Sequence, residues 1–223
     1  MPELTLIRHA QASFGAENYD RLSDLGHRQA RWTGEWLADC GAKPTRIAVG
    51  TLTRHRETAE GIAEALGVDH ALETHPGLDE YDFRALLAAW FRERPEEEPP
   101  ALHTDRRTHF RTLRTVILAW QRDEIAAPPE TWVDFEHRTI EALHALCDTS
   151  RGDVLAVSSG GPISELTRRV LEAPAPMMMT LNLQAKNTGI TRMIFTERAR
   201  FLTQFNAAPH LERSDRAQHL TFS

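Results

Sequence analysis

Short apolar runs alternate with longer stretches of helical periodicity along the first third of the chain. Residues 4–7 form a brief, partly β-branched apolar run, which predicts a buried first strand with Arg8 and His9 at its C-terminal end. After a loop through Phe14, Gly15 and Asn18, Ser23 is placed to cap a helix that ends near Cys40, where Gly41 and Pro44 supply the stop. Residues 46–50 read as a second strand. In residues 54–66, Ala59, Ile62, Ala63 and Leu66 recur at helical spacing, and Gly67 closes that helix. A β-α-β-α rhythm of this kind predicts a parallel sheet with helices packed on its faces.

The middle of the chain reads differently. Helical stretches over residues 84–94, 105–124 and 130–148 are separated by proline-rich breaks at 95–100 and 128–129, and Phe110, Leu113, Ile117 and Trp120 line one face of the second stretch. The expectation is a helical insertion at about residues 84–150 inside a single domain spanning residues 1–223, because no long flexible linker bounds it. Residues 153–159 form the clearest buried strand, running through Gly160 and Gly161 into a helix with Pro162 in its first turn. Residues 188–196 and 200–205 predict two closing strands, paired as a hairpin. The fold expected is an α/β class, three-layer α/β/α sandwich with a mostly parallel central sheet and a helical insertion.

Composition narrows the function. The 223 residues carry a formal net charge of −6 and a pI near 6.0, which argues against a broad basic surface for nucleic acid. Cys40 and Cys147 read as reduced thiols, and no apolar run is long enough to cross a membrane. The expectation is a cytoplasmic protein with no membrane or nucleic-acid partner. His-Glu-x-x-His and Cys-x-x-Cys patterns are absent, and His137 with His144 reads as one half-buried helix face, so no metal is expected. Trp90, Phe91, Trp120, Trp132 and the triple methionine Met177, Met178 and Met179 read mainly as core.

Three strand ends carry polar groups: Arg8 and His9, then Thr51 through Arg54, then Ser158 through Gly161. In an open parallel sheet, ligands bind at the carboxyl ends of the strands, so these groups are expected to converge. Two arginines, a histidine and a helix N-terminus make an anion site, and the guanidinium fork suits phosphate. Taken apart from its neighbours, Ser159 or Ser158 would be no more than an N-cap.

The segment Leu6-Ile7-Arg8-His9-Ala10 resembles the Leu-Val-Arg-His-Gly motif of the histidine phosphatase (phosphoglycerate mutase-like) superfamily. Thr51 to Ala59 resembles the stretch with that family's second phosphate-binding arginine, Leu78 to Phe83 its proton-donor segment, Val154 to Gly161 its Val-Ser-His-Gly-Gly segment, and Phe205 to Leu211 its closing strand and tail. The resemblance implies His9 as nucleophile forming a phosphohistidine, Glu80 as proton donor and later base, and Arg8, Arg54, Ser159 and Gly160 around the phosphate, without a metal or other cofactor. It implies a metal-independent phosphatase acting on a small phosphorylated substrate. A catalytically impaired phosphate- or phosphoprotein-binding module is the alternative, and a phosphomutase ranks below both; a homodimer stays open. Two departures stand out. Ala10 replaces the usual glycine and would be strained if φ were positive there. Ser159 stands where the family has its second histidine, and His27 or His210 is a candidate to move into that gap.

Overall fold

A computed structural model describes residues 1–13, 20–102 and 104–222. The loop expected through Phe14, Gly15 and Asn18 lies outside the described residues. Among the described residues the strands are β1 (Glu3–Arg8), β2 (Arg46–Val49), β3 (Leu72–Thr74), β4 (Val154–Ser158), β5 (Ile190–Phe195) and β6 (Arg200–Ala207). The helices are α1 (Asp24–Asp39), α2 (Thr53–Leu66), α3 (Phe83–Glu93), α4 (Arg106–Trp120), α5 (Trp132–Leu146), α6 (Gly160–Val170) and α7 (Pro176–Asn182). The sheet order is β3-β2-β4-β1-β5-β6. The first four run parallel, β5 runs against them, and β6 pairs antiparallel with β5, the mostly parallel sheet that the rhythm predicts. Among the described residues no helix is long and apolar enough to cross a membrane.

Side-chain alternation along the strands builds the layers. Leu4 pairs with Val154 and Leu6 with Ala156, and these residues share one core with Leu143 and Leu146 of α5 and Ile163 and Leu166 of α6. Ile7, Ile47, Leu155 and Val157 point to the opposite face, where they meet Leu37 of α1 and Ile62 of α2. The termini follow local chemistry. Ser23 Oγ accepts from Gly26 N at 3.0 Å to cap α1, and Gly67 ends α2 in the left-handed region with φ 75°.

A third core stands beside the sheet. Leu86 and Trp90 of α3, Leu113, Ile117 and Trp120 of α4, and Met178 and Met179 of α7 pack around Phe135 of α5. The buried Trp120 indole donates to the Glu130 carbonyl at 2.7 Å, so its one polar atom is satisfied. Helix α5 therefore serves both cores: its N-terminal half closes the third cluster and its C-terminal half lies against the sheet. The segment standing clear of the sheet is thus narrower than residues 84–150 and centres on α3 and α4. Strand β3, three residues long, and the seven-residue α7 give no periodic signal in sequence.

Glu165, fully buried on α6, holds Arg168 at 2.7 Å, and Arg168 also pairs with Glu136 of α5. That paired network fixes the helix whose N-terminus faces the strand ends.

Phe135 is fully buried, with its ring 5.3 Å from Trp120 and 5.4 Å from Trp132. Phe135→Ala is expected to lower unfolding free energy by about 3–5 kcal/mol in denaturant titration, because the cluster cannot collapse into the space. A loss below about 1 kcal/mol would mean that the third core repacks freely.

Candidate active site

The parallel pairing of β1 with β4 continues one step past the strand, where His9 N donates to the Ser158 carbonyl at 2.8 Å. The main chain holding His9 is therefore part of the sheet. His9 Nδ1 lies 2.8 Å from the Ala10 carbonyl, which can only accept, so Nδ1 bears the ring proton and Nε2 keeps its lone pair. Burial first, then Arg8, Arg54 and His55, hold the His9 pKa well below 6.5. A neutral imidazole with a free lone pair is the nucleophilic form. Ala10 is not among the positive-φ residues, and its N–H donates to Thr58 Oγ1 at 3.0 Å, so the strain considered for it does not arise.

Arg8 is buried, with Nη1 donating to the Ala185 carbonyl at 2.6 Å. Arg54 sits in the first turn of α2 and donates to Asp20 Oδ1 at 2.7 Å, while Asp20 Oδ2 accepts from Thr53 N at 2.8 Å. Asp20 thus caps α2, whose own N-cap Leu52 has no polar side chain, and aims Arg54 at the same time. Asn187 Nδ2 donates to the His9 carbonyl at 3.2 Å.

Glu80 follows the short turn Pro76–Leu78, and its carboxylate oxygens accept from Gly161 N at 3.1 and 3.2 Å. Burial pushes its pKa up, against the opposing pull of Gly161 N–H, Arg54 and Arg8. A side chain at position 161 would put its Cβ 2.1 Å from Glu80 Oε1, so only glycine admits this contact. The neighbouring acids are occupied elsewhere: Asp82 caps α3 through Ala85 N at 2.9 Å, and Asp79 accepts from Thr51 N at 2.6 Å. Arg8, His9, Arg54 and Glu80 all line one cavity of about 1690 Å³, whose outer wall includes Phe83, Leu87, Phe91, Phe110 and Met179.

Ser159 occupies the N-cap position of α6, yet its hydroxyl makes no capping bond, and Ser158 Oγ donates to the Leu78 carbonyl at 2.7 Å. Simple capping therefore describes neither serine. Gly160 lets Asn182 approach, since a Cβ there would lie 2.3 Å from Asn182 Oδ1. The candidates for the missing histidine are elsewhere. His27 is exposed on α1, and His210 is held by Thr188 Oγ1 at 2.8 Å with its pKa pushed down to about 3 by burial. Neither lines the cavity. His55 lies nearer: fully buried and, like Ser159 and Gly160, outside the cavity's lining, it has its ring centroid 5.8 Å from that of His9. Its place directly after Arg54 was the available signal in the sequence. Asp20, Tyr81 and Asn182 carried none, because their roles come from contacts across the fold.

The profile of the Histidine phosphatase superfamily (branch 1) matches residues 4–208. A 2,3-bisphosphoglycerate-dependent phosphoglycerate mutase of Maricaulis maris is 33% identical over 165 residues, 69% of this chain and 58% of that protein. The mitochondrial serine/threonine-protein phosphatase PGAM5 of Xenopus laevis is 44% identical over 63 residues, 27% of this chain and 23% of that one. These matches span less than two thirds of either relative's length. The solved structure of phosphoserine phosphatase from Entamoeba histolytica with phosphoserine shares the fold at TM-score 0.65 and 23% identity, covering 95% of this chain and 100% of that one. Mycobacterial glucosyl-3-phosphoglycerate phosphatase does so at 0.62 and 22%, covering 93% and 100%. With a profile running from β1 to just past the end of β6, and the same sheet and helices in these enzymes, the chain belongs to the histidine phosphatase superfamily, branch 1.

Proposed function

We propose that this chain hydrolyses phosphate monoesters through a phosphorylated His9. The observation that carries the reading is a neutral His9 with its lone pair on Nε2, sharing one cavity with two arginines and a carboxyl whose pKa is raised. In the first step Nε2 bonds to phosphorus, the bond from phosphorus to the leaving oxygen breaks, and the Glu80 proton passes to that oxygen. In the second, Glu80 takes a proton from water, the oxygen of that water bonds to phosphorus, and the phosphorus–nitrogen bond breaks to release phosphate. Arg8, Arg54 and the α6 N-terminus at Ser159 and Gly160 hold the non-bridging oxygens and offset their charge. No metal enters this scheme.

The apolar wall formed by Phe83, Leu87, Phe91, Phe110 and Met179 supports a small phosphorylated substrate with a bulky apolar leaving group. A binding module without turnover is the second reading, motivated by Ser159. It leaves unexplained why Gly161 is shaped around a protonatable carboxyl, which anion binding alone does not need. The Maricaulis relative keeps a mutase reading below both.

Metal-free hydrolysis of naphthyl phosphate is expected from the native protein and is expected to disappear in His9→Ala; equal rates in the two would remove His9 from the mechanism. Because the His9 pKa is depressed, the nucleophile stays neutral as pH falls through 6.5. Because the Glu80 pKa is raised, the proton donor persists above the ordinary carboxylate range of about 4.3. The kcat/KM profile should therefore hold its value on the acid side and decline as pH rises through the Glu80 pKa. A rate that instead climbs from pH 5 to 8 contradicts this assignment. Gly161→Ala drives a methyl group into Glu80 Oε1 and should lower kcat on the order of 100-fold for an alkyl phosphate. It should do so by much less for nitrophenyl phosphate, whose leaving group needs no proton, and an equal loss on both substrates would count against Glu80 as the acid.

A further inference from the structure

The resemblance to the superfamily's Val-Ser-His-Gly-Gly segment puts an imidazole at position 159, where this chain has serine, and an imidazole stands beside that serine on a different element. His55 Nε2 lies 2.7 Å from Ser159 Oγ. The other ring nitrogen, Nδ1, is buried without a hydrogen-bond partner, and it lies 3.7 Å from Asp79 Oδ1. The approach is built into the backbone: a Cβ on Gly50 would stand 2.3 Å from both Asp79 Oδ1 and His55 Nδ1. Asp79 is itself held from β2's end by Thr51 N at 2.6 Å. A fully buried imidazole with one unmatched nitrogen costs stability that an apolar side chain of similar size would not.

The three ring states differ in what they leave for Ser159. With the proton on Nδ1, facing Asp79, Nε2 can only accept, so the serine hydroxyl donates inward. With the proton on Nε2, the Nδ1 lone pair faces a carboxylate. The neutral Nδ1–H ring satisfies both sides but consumes the serine proton; only the doubly protonated ring keeps Nδ1–H on Asp79 while Nε2–H donates to Ser159 Oγ. The serine hydroxyl is thereby released to donate away from His55. The groups facing the ring are Arg54 on its own helix, His9 after β1, Asp79 before α3 and Ser159 at α6. Without a ligand, burial and Arg54 keep the ring neutral. A phosphate dianion near His9 would reverse that balance.

We propose that Asp79, His55 and Ser159 form a relay that does, from helix α2, the work of the histidine absent at position 159. His55 takes one proton from solvent as phosphate binds and turns the Ser159 hydroxyl toward the phosphoryl oxygens. His55 is thus a positioning residue acting through Ser159. The inference rests on the phosphohistidine reading for its kinetic consequence but not for its binding one.

Two measurements test it together. Orthovanadate binding is followed by calorimetry at pH 7 in buffers of different ionisation enthalpy, for the native protein, His55→Ala and His55→Gln. The native protein should take up close to one proton more per vanadate than either variant, and both variants should bind more weakly. Equal proton uptake in all three overturns the relay. His55→Gln keeps a donor for Ser159 and similar bulk without the second protonation, so a folded His55→Gln with native affinity also overturns it. On naphthyl phosphate, His55→Ala should lose kcat on the order of 100-fold, as for removal of one transition-state donor, with KM changing little. The swap His55→Ala with Ser159→His should recover most of that loss. A native protein that binds vanadate with His55-linked proton uptake but turns nothing over would sink the phosphatase reading and leave the relay standing. Turnover unaffected by His55→Ala would do the reverse.

Discussion

The parallel ladder between β1 and β4 is the constraint on which the rest of the site depends. Its register, Leu4 on Val154 through Arg8 on Ser158, aligns the two strand ends, and the added bond from His9 N to the Ser158 carbonyl extends it into the chemistry. A shift of one residue would turn every apolar side chain of β1 to the wrong face, so burial in two cores enforces the register. His9 is thus located by the same alternation that builds the hydrophobic layers. Pairing of β2 with β4 then brings the α2 N-terminus, and with it Arg54 and His55, to the same edge.

Gathering these groups works against stability. Arg8 and Arg54 are drawn close to a buried imidazole; Asp20 pairs with Arg54, and the nearby Glu80 is biased toward its neutral form. The fold tolerates this because the surroundings are fixed. The Glu165, Arg168 and Glu136 network locks α6 to α5, and Asp20 both caps α2 and restrains Arg54. On the proposed reading, a dianion entering the cavity meets Arg8 and Arg54 together, which favours doubly charged anions over singly charged ones.

The sheet and its surrounding helices were legible in sequence where period and punctuation agree. Ser23, Gly67 and the apolar run after Asp153 mark element ends through purely local chemistry, and the structure places them accordingly. Arg8, His9, Arg54 and Glu80 could be named because they sit at strand ends or in short ordered motifs. Strand β3 offers three residues, none of them buried and too few for any period, and the double allegiance of α5 appears only when both of its halves have partners. The expectation that His27 or His210 would fill the gap at 159 failed for a related reason. Both would have to move, whereas His55 is held beside Ser159 because β2 and β4, which lead into α2 and α6, are paired.

The separation of the third core from the two sheet cores has a consequence for how such a chain diversifies. Phe83, Leu87, Phe91 and Phe110 hang from α3 and α4, which pack on one another, on α7 and on the first half of α5, while His9 follows β1 and Arg54 opens α2. Tyr81, next to Glu80 in the chain, and Phe135 of α5 have their rings 5.4 and 5.3 Å from that of Trp120, which ties this wall to the rest of the molecule. On the proposed reading, leaving-group selectivity and reactivity belong to separate structural units, so a lineage could take up new leaving groups by altering α3 and α4 without rebuilding the groups around His9.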